Sequence, residues 1–373
     1  MEGKAETVST AASERRDWTP GEAVPWFTAP TLHGNARFDF DTVAGRYVLL
    51  FFAGSAAVPA VAQSIARLGA CRDLLDDRRA CFFGITIDPE DERAGRIAKH
   101  LPGFRWFLDY DGGLSRRFGA SDGERGYRPF WMLLDPMLRV VDTAGPSEPE
   151  RLFATLRRLL EAETAATFAP VAVLPRIFEP ELCRHLISLH EAHGGRTSGF
   201  MRDIGGATTG IVDNSFKRRF DYTIADQPLR QALCGLMARR LFPMVHHIFQ
   251  FAATHIERHI VACYDGDGEG GFFQPHRDNT TAGTAHRRFA CTINLNADDY
   301  DGGDLIFPEF GTRTYRAPTG GAVVFSCSLL HGAEPVTRGK RYAYLPFLYD
   351  DAGARQWAAY EAKMASEAPP AAG

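Results

Sequence analysis

The chain of 373 residues lacks several features that would narrow its class at once. It has no CxxC pair and no dense cysteine framework. Its seven cysteines, Cys71, Cys81, Cys183, Cys234, Cys263, Cys291 and Cys327, are scattered and odd in number, which fits reduced thiols rather than a stapled secreted scaffold. It has no long apolar run: "YVLLFFAG" falls far short of the roughly 20 residues that span a bilayer. It has no excess of one charge. A net charge of −4 and a pI near 6.3 give no electrostatic case for nucleic acid or for an anionic membrane surface. The opening "MEGKAETVSTAASERRDW" contains no apolar segment of the signal-peptide kind, so a cytoplasmic chain is expected, with residues 1–19 as a disordered lead-in. No internal repeat or low-complexity segment is visible.

What is present is an ordinary globular composition, 45% hydrophobic and 24% charged. At about 150 residues per domain, the length suggests two domains. Residues 20–162 alternate strands and helices. "GRYVLLFFAG" and "ACFFGITID" are continuous apolar runs, as in strands buried on both faces. Each is followed by helical spacing, in "VPAVAQSIARLGACRDLLDD" and "PEDERAGRIAKHL". "PFWMLLDPMLRVVDTAG" reads as two strands around a turn at Asp135-Pro136. A closing helix follows, for which Ser147 and Glu150 form a capping box. This order predicts an α/β layer structure.

A second pattern runs over residues 169–352, with a C-terminal helix and tail at 353–373. "FEPELCRHLISLH" predicts a helix starting at Glu179 or Pro180 and ending at Gly194-Gly195, and "DQPLRQALCGLMARRLFPMVHHIFQF" a helical region interrupted at Pro243. From residue 255 the chain becomes short strands punctuated by Gly, Asp and Pro, which predicts a mainly β sandwich or jelly roll.

In that β region stands "GGFFQPHRDNTT", with His276 two residues before Asp278. The pair alone fits either a metal site or two polar residues at the wet end of a sheet. His331, 55 positions on in "SCSLLHGAEPVTRGKRY", supplies a third donor. Two histidines and one carboxylate on one face leave open positions and suit non-heme Fe(II). Arg341, ten positions after His331, offers a permanently charged fork for a small carboxylate cosubstrate, with Lys340 as the alternative cation.

These motifs resemble the 2-oxoglutarate/Fe(II)-dependent oxygenases, and "HIVACYDGDGEGGFFQPHRDN", "TINLN", "GGDLIFPEFG" and "RAPTGGAVVFSCSLLHGAEPVTRGKRYAYLPFLYD" are similar to their prolyl 4-hydroxylase branch. The resemblance implies a double-stranded β-helix with flanking helices. It implies that His276, Asp278 and His331 hold Fe(II) and that Arg341 pairs with the far carboxylate of 2-oxoglutarate. Tyr264, Asn294 and Thr292 are expected at the cosubstrate, although packing alone would also explain Tyr264. It implies O2-driven decarboxylation to succinate and CO2 with hydroxylation of an unactivated C–H bond, and ascorbate as a candidate reductant. A substrate that is a prolyl residue, another amino acid, a peptide or protein, or a small molecule is expected, with no nucleic acid and no membrane. Asp278 fills the position a halide would need, which disfavours a halogenase.

Residues 20–162 resemble the peroxiredoxin (AhpC/TSA, redoxin) family and its thioredoxin-like fold, through "GEAVPWFTAPTLHGNARFDFDTVAGRYVLLFFAG", "GITIDPEDERA", "WFLDYDGGLSRRFGA" and "YRPFWMLLDPMLRVVDTAG". That family places a nucleophilic cysteine at a helix start, where the dipole lowers its pKa. Here "AGSAAVPAVAQS" puts Val61 there. The expected role is substrate presentation, homodimerisation or stability. Two competing readings remain: a thiol-redox protein using Cys71 or Cys81, and a non-catalytic binding module. The segment 202–226 reads as a long loop and candidate lid, with Lys217, Arg218 and Arg219 either contacting substrate or forming a solvated basic face. His286 is expected at the surface, and His246, His247, His255 and His259 have no matched partners.

Overall fold

The computed structural model describes residues 17–123, 126–162, 167–204 and 207–367. They fall into two compact units, Met1–Ala165 and Ala166–Gly373. No helix among the described residues is long and apolar enough to cross a membrane.

The first unit is built on a five-stranded sheet. Its order is Phe104–Leu108, Ala80–Thr86, Tyr47–Gly54, Phe130–Leu134, Val140–Ala144. The first three strands run parallel and the last two antiparallel. The two continuous apolar runs occupy the centre, because only a strand covered on both faces buries every side chain. Leu49, Phe51, Trp131 and Leu133 pack on one face under the helices Pro59–Ala66 and Pro149–Glu161. Phe51 stacks on Trp131 with ring centroids 4.1 Å apart. On the other face Phe27, Phe40, Phe83 and Phe107 form an aromatic layer. This is the thioredoxin-like α/β fold expected.

Several local expectations fail for definable reasons. The helix over "PEDERAGRIAKHL" is only Pro89–Arg93. Gly95 turns left-handed at φ 64°, and the Asp91 carboxylate is taken by Ala56 N at 2.9 Å and Thr86 Oγ1 at 2.7 Å, which pins that single turn to the sheet end. The preceding helix tightens from α over Pro59–Ala66 to 3₁₀ over Arg67–Leu74, a stretch containing Gly69. Ser147 does not cap. Pro149 fixes the first helical residue, Glu148 takes the cap position without a side-chain bond, and the Ser147 carbonyl accepts from Arg67 at 2.7 Å. Residues 1–16 of the lead-in lie outside the described residues. Trp18 is not part of a loose end: it is buried and donates its indole N–H to Phe118 O at 2.9 Å.

In the second unit, strands form two antiparallel sheets in a jelly-roll, double-stranded β-helix arrangement. Among the described residues the larger sheet has nine strands, including Phe289–Asn294, Lys340–Tyr344 and Ile260–Asp265 as neighbours. The smaller has five: Lys217–Arg218, Phe272–His276, His331–Ala333, Leu305–Ile306 and Thr314–Tyr315. The period of two sorts the larger sheet. Val261, Cys263, Cys291, Ile293, Tyr342 and Tyr344 face outward under the helices Pro180–His193, Gln227–Arg240 and Phe242–Phe249. Ile260, Ala262, Tyr264, Ala343 and Leu345 face inward, against Phe273, Ala333 and Val336.

The supposed long loop at 202–226 is mostly ordered β structure, apart from residues 205–206, which lie outside the described residues. Phe200–Ile204 and Ala207–Ile211 form a hairpin, Lys217–Arg218 edges the smaller sheet, and Phe220–Thr223 joins the larger one. The C-terminal helix spans Asp351–Glu367, and residues 368–373 lie outside the described residues.

Candidate metal centre

His276 ends the Phe272–His276 strand and stands directly across from His331, the first residue of His331–Ala333. Asp278 follows the first strand, its amide donating to Cys327 O at 3.0 Å. One donor atom from each of His276, Asp278 and His331 lies within 4.8 Å of the others. His276 Nε2 is 3.5 Å from Asp278 Oδ1, and His331 Nε2 is 3.3 Å from Asp278 Oδ2.

The rings are oriented from behind. His276 Nδ1 lies 2.8 Å from Gln274 O, and His331 Nδ1 lies 3.0 Å from Leu329 O. A carbonyl oxygen only accepts, so each Nδ1 carries a proton and each ring turns its Nε2 toward Asp278. Phe273 stacks on His276 at 3.5 Å between centroids, and Phe325 packs at 4.5 Å from His331. Burial pushes the His331 imidazole down to about 4, so it is neutral at neutral pH. Burial opposes ionisation of Asp278, but His331, His276 and Arg287 outweigh it and hold the carboxyl well below the usual carboxylate range. A neutral His331 imidazole and an ionised Asp278 are protonation states a divalent metal requires.

Arg277, between the two donors, points the other way and is buried. Its guanidinium grips Glu309 through Nη2 at 2.9 Å and Nη1 at 3.2 Å, and also reaches Ser328 O. Glu309 accepts the Leu330 amide at 2.9 Å, immediately before His331. One ion pair therefore ties the segment bearing His276 and Asp278 to the segment bearing His331.

Arg341 is 2% exposed, and its inner face position is set by pairing with Tyr264 across the sheet. Its guanidinium carbon lies 4.9 Å from the Tyr264 ring centroid. Its Nε and Nη1 are buried with no hydrogen-bond partner. Lys340, the alternative cation, points outward to Asp265 at 2.8 Å. Thr292 and Asn294 share the inner face of one strand, and both are buried. Asn294 Nδ2 donates to Ala317 O at 2.7 Å, whereas its Oδ1 has no partner, and neither does the buried Tyr300 hydroxyl. Gly303, at φ 68°, packs against both Arg341 and Tyr300: a Cβ there would lie 3.2 Å from Arg341 Cδ and 3.5 Å from Tyr300 Cε2. The unpartnered Arg341 nitrogens and the Tyr300 hydroxyl are donors of the kind a small anion accepts, whereas Asn294 Oδ1 can only accept a hydrogen bond. Tyr300 gave no signal in the sequence beyond its place just before "DGGDLIF".

Two expectations are corrected here. His286 is buried, not a surface residue. Its Nε2 meets Glu257 Oε2 at 2.9 Å, and Arg287 grips the same carboxylate at 2.6 and 2.8 Å. Burial works against ionised Glu257, yet these hydrogen bonds bring it down to about 2. The Lys217-Arg218-Arg219 row is not a solvated face. Strand alternation buries Lys217 and Arg219 and leaves Arg218 outside, paired with Glu269. Lys217 Nζ donates to Ser198 Oγ at 2.7 Å and Gly199 O at 2.6 Å, and lies 4.6 Å from the Phe273 ring centroid. Of the remaining histidines, His259 Nδ1 shares a hydrogen bond with the Tyr344 hydroxyl at 2.6 Å, and His255 Nδ1 lies 3.6 Å from Asp351.

In the first unit the position aligned with a reactive cysteine, Val61, is buried in the core. Cys71 and Cys81 are fully buried, and burial above all pushes both thiols up to about 12. Burial and a raised pKa both disfavour the thiolate that a nucleophile needs.

The fold and this donor set define a β-helix unit with a two-histidine, one-carboxylate centre, preceded by a thioredoxin-like unit without its thiol. Residues 259–349 match the 2OG-Fe(II) oxygenase superfamily, and residues 20–145 match the AhpC/TSA family. The chain is 31% identical over 149 residues to the PKHD-type hydroxylase PiuC of Pseudomonas aeruginosa, covering 37% of this chain and 63% of that protein. A PKHD-type hydroxylase of Bordetella pertussis is 37% identical over 123 residues, covering 31% of this chain and 53% of that protein. The chain therefore spans less than two thirds of the length of these curated relatives. Among solved structures, a Pseudomonas putida prolyl-4-hydroxylase is 17% identical at a TM-score of 0.37, covering 48% of this chain and 92% of its own. The peroxidoxin BcpB of Mycobacterium tuberculosis is 20% identical at 0.34, covering 38% and 99%.

Proposed function

We propose that the second unit is an Fe(II)- and 2-oxoglutarate-dependent hydroxylase acting on an unactivated C–H bond. One observation carries this reading. Three metal-competent donors, both imidazoles already oriented through Nδ1, share an interior with a guanidinium that has two unpartnered nitrogens. His276, Asp278 and His331 would hold the metal on one face and leave the opposite face open. Arg341 would take the far carboxylate of 2-oxoglutarate as a bidentate fork, and Tyr300, Asn294, Thr292 and Tyr264 would line the same space. With cosubstrate and O2, bound Fe(II) would supply oxidative decarboxylation to succinate and CO2, coupled to hydroxylation. Glu309 and Arg277 would keep the two ligand-bearing segments in register, and the Phe273 and Phe325 rings would keep water away from the imidazoles. In this reading the first unit carries no thiol chemistry.

Anaerobic titration of the protein with Fe(II) and 2-oxoglutarate, followed by admission of O2, tests the proposal. Binding of both and O2-dependent succinate formation, lost in His276→Ala, are expected. A wild-type protein that binds neither would overturn it.

A further inference from the structure

Arg341 is not the only guanidinium left unpaired inside the β-helix. Arg219, Arg258 and Arg287 also lie around its interior, beside two carboxylates, Asp221 and Glu257. Both carboxylates are saturated. Asp221 accepts Arg219 Nε and Nη2 at 2.7 Å each, together with the Ser198 hydroxyl. Glu257 accepts His286 and two bonds from Arg287. Among the described residues, Arg258 has no carboxylate partner. Its Nε is buried without any hydrogen bond, and Nη2 makes only a long 3.5 Å contact to Leu345 O.

Arg258 is connected to the triad through Phe347 and Arg287. Its guanidinium carbon lies 4.3 Å from the Phe347 ring centroid, and Arg287 lies 4.1 Å from the same ring. Arg287 Nη1 in turn is 3.4 Å from the Asp278 carbonyl. Arg341 lies at the other end of that inner row, which runs Arg341, Ala343, Leu345, Phe347, on the order of 15–20 Å at strand spacing. An anion seated on Arg341 therefore does not neutralise Arg258. Arg258 also adopts a left-handed φ of 67°, uncommon outside glycine, where the chain passes from His255–Glu257 to Ile260–Asp265. Burial first, then Arg287 and Arg219, push its pKa down to about 10, so it remains a cation at neutral pH. Glu257 and Asp221 offset that in part, but a half-buried guanidinium whose Nε is buried without a partner costs stability unless a ligand completes it.

We propose that Arg258 is the substrate's anion anchor: the molecule hydroxylated at this centre carries a carboxylate that docks on Arg258, at the other end of the inner row from Arg341. This rests on the hydroxylase reading and deepens it from any C–H bond to one in a carboxylate-bearing substrate. Arg219, Arg258 and Arg287 stand against Asp221, Glu257 and Asp278, so once a metal takes the Asp278 carboxylate one cation is left over, which matches a monoanion. A free amino or organic acid and an acidic side chain within a peptide both supply it, and the test separates them.

The full-length protein is loaded with Mn(II) and 2-oxoglutarate, which gives a complex that does not turn over, and thermal melting is followed. The probes are amino acids with uncharged side chains, free and N-acetylated, the N-acetyl amides as their neutral twins, and an N-acetylated peptide amide with an internal glutamate beside its glutamine counterpart. At least one carboxylate probe is expected to raise the melting temperature of the wild type while its neutral twin does not. The shift is expected to vanish in Arg258→Met and to survive in part in Arg258→Lys. Without probes, Arg258→Met is expected to melt at or above the wild type, and its affinity for 2-oxoglutarate is expected to stay within about twofold. A neutral twin that works equally well, a shift that persists in Arg258→Met, no carboxylate-dependent shift at all, or a variant melting well below wild type would each overturn the proposal. Loss of 2-oxoglutarate binding in the wild type would instead sink the hydroxylase reading, and it is recorded separately before any probe is added.

Discussion

The two units treat their buried polar groups in opposite ways. In the first, each buried polar side chain that matters to the sheet end is satisfied by the protein itself. Asp91 accepts Ala56 N and Thr86 Oγ1, Asp109 accepts the amides of Leu114 and Ser115, and Ser64 Oγ accepts the Trp131 indole N–H. Where a reactive thiol would stand, Val61 fills the core. In the second, Arg258, Asn294, Tyr300 and Arg341 hold every buried side-chain nitrogen or oxygen left without a partner among the described residues. A fold that completes its own hydrogen bonds is finished as a structure. One that leaves several orphaned around a metal-competent triad is incomplete until something binds.

That contrast is broken or sharpened by substitutions. The largest effect is expected at Arg341. Arg341→Met removes one partner of a desolvated charge pair, a loss of about 2–5 kcal/mol, so affinity for 2-oxoglutarate should fall on the order of 100-fold while Mn(II) binding persists. Calorimetry on the Mn(II) protein reads both. Next is the Arg277–Glu309 pair. Glu309→Gln should weaken metal affinity by roughly tenfold, the scale of lost support behind a ligand, and should leave the protein folded.

Lys217 gives a pH signature. Burial, then Arg219, pushes its pKa from 10.5 to about 6. The unfolded chain therefore binds more protons than the folded one between those values, so this residue makes stability rise with pH across that window. Its destabilising effect is full below pH about 6 and gone above 10.5. Lys217→Met should raise stability at neutral and acid pH, with the gain shrinking as pH rises. Urea melts at several pH values check this, and a pH-independent difference would contradict it. The smallest effect is expected in the first unit: Cys71→Ser should leave succinate formation unchanged, and neither wild type nor variant should turn over peroxide.

That His276, Asp278 and His331 come together was legible in sequence from the residue types and the short spacing of the first two. His276 and Asp278 stand two apart, and Arg341 follows His331 by ten residues, with the short strand Val336–Arg338 between their strands. The rest of the site depends on pairings between distant segments. Glu309 matters only because Arg277 reaches it, and His286 is buried only because Glu257 comes beneath it. The fate of Lys217 and Arg219 was open to the period-two rule, but only once that stretch is known to be strand rather than loop. The α/β and β-rich layers were readable from apolar runs and turn residues. The shortened Pro89–Arg93 helix was not, since the Asp91 carboxylate that pins it answers to Ala56 and Thr86.

The most direct test is single-turnover chemistry at the triad. Anaerobic protein with Fe(II) and 2-oxoglutarate is exposed to O2, and succinate is counted against enzyme. Stoichiometric succinate from the wild type, and none from Asp278→Ala or His331→Ala, is the expected result. A wild type that binds neither iron nor 2-oxoglutarate, or that forms succinate equally well without the triad, would contradict the central claim.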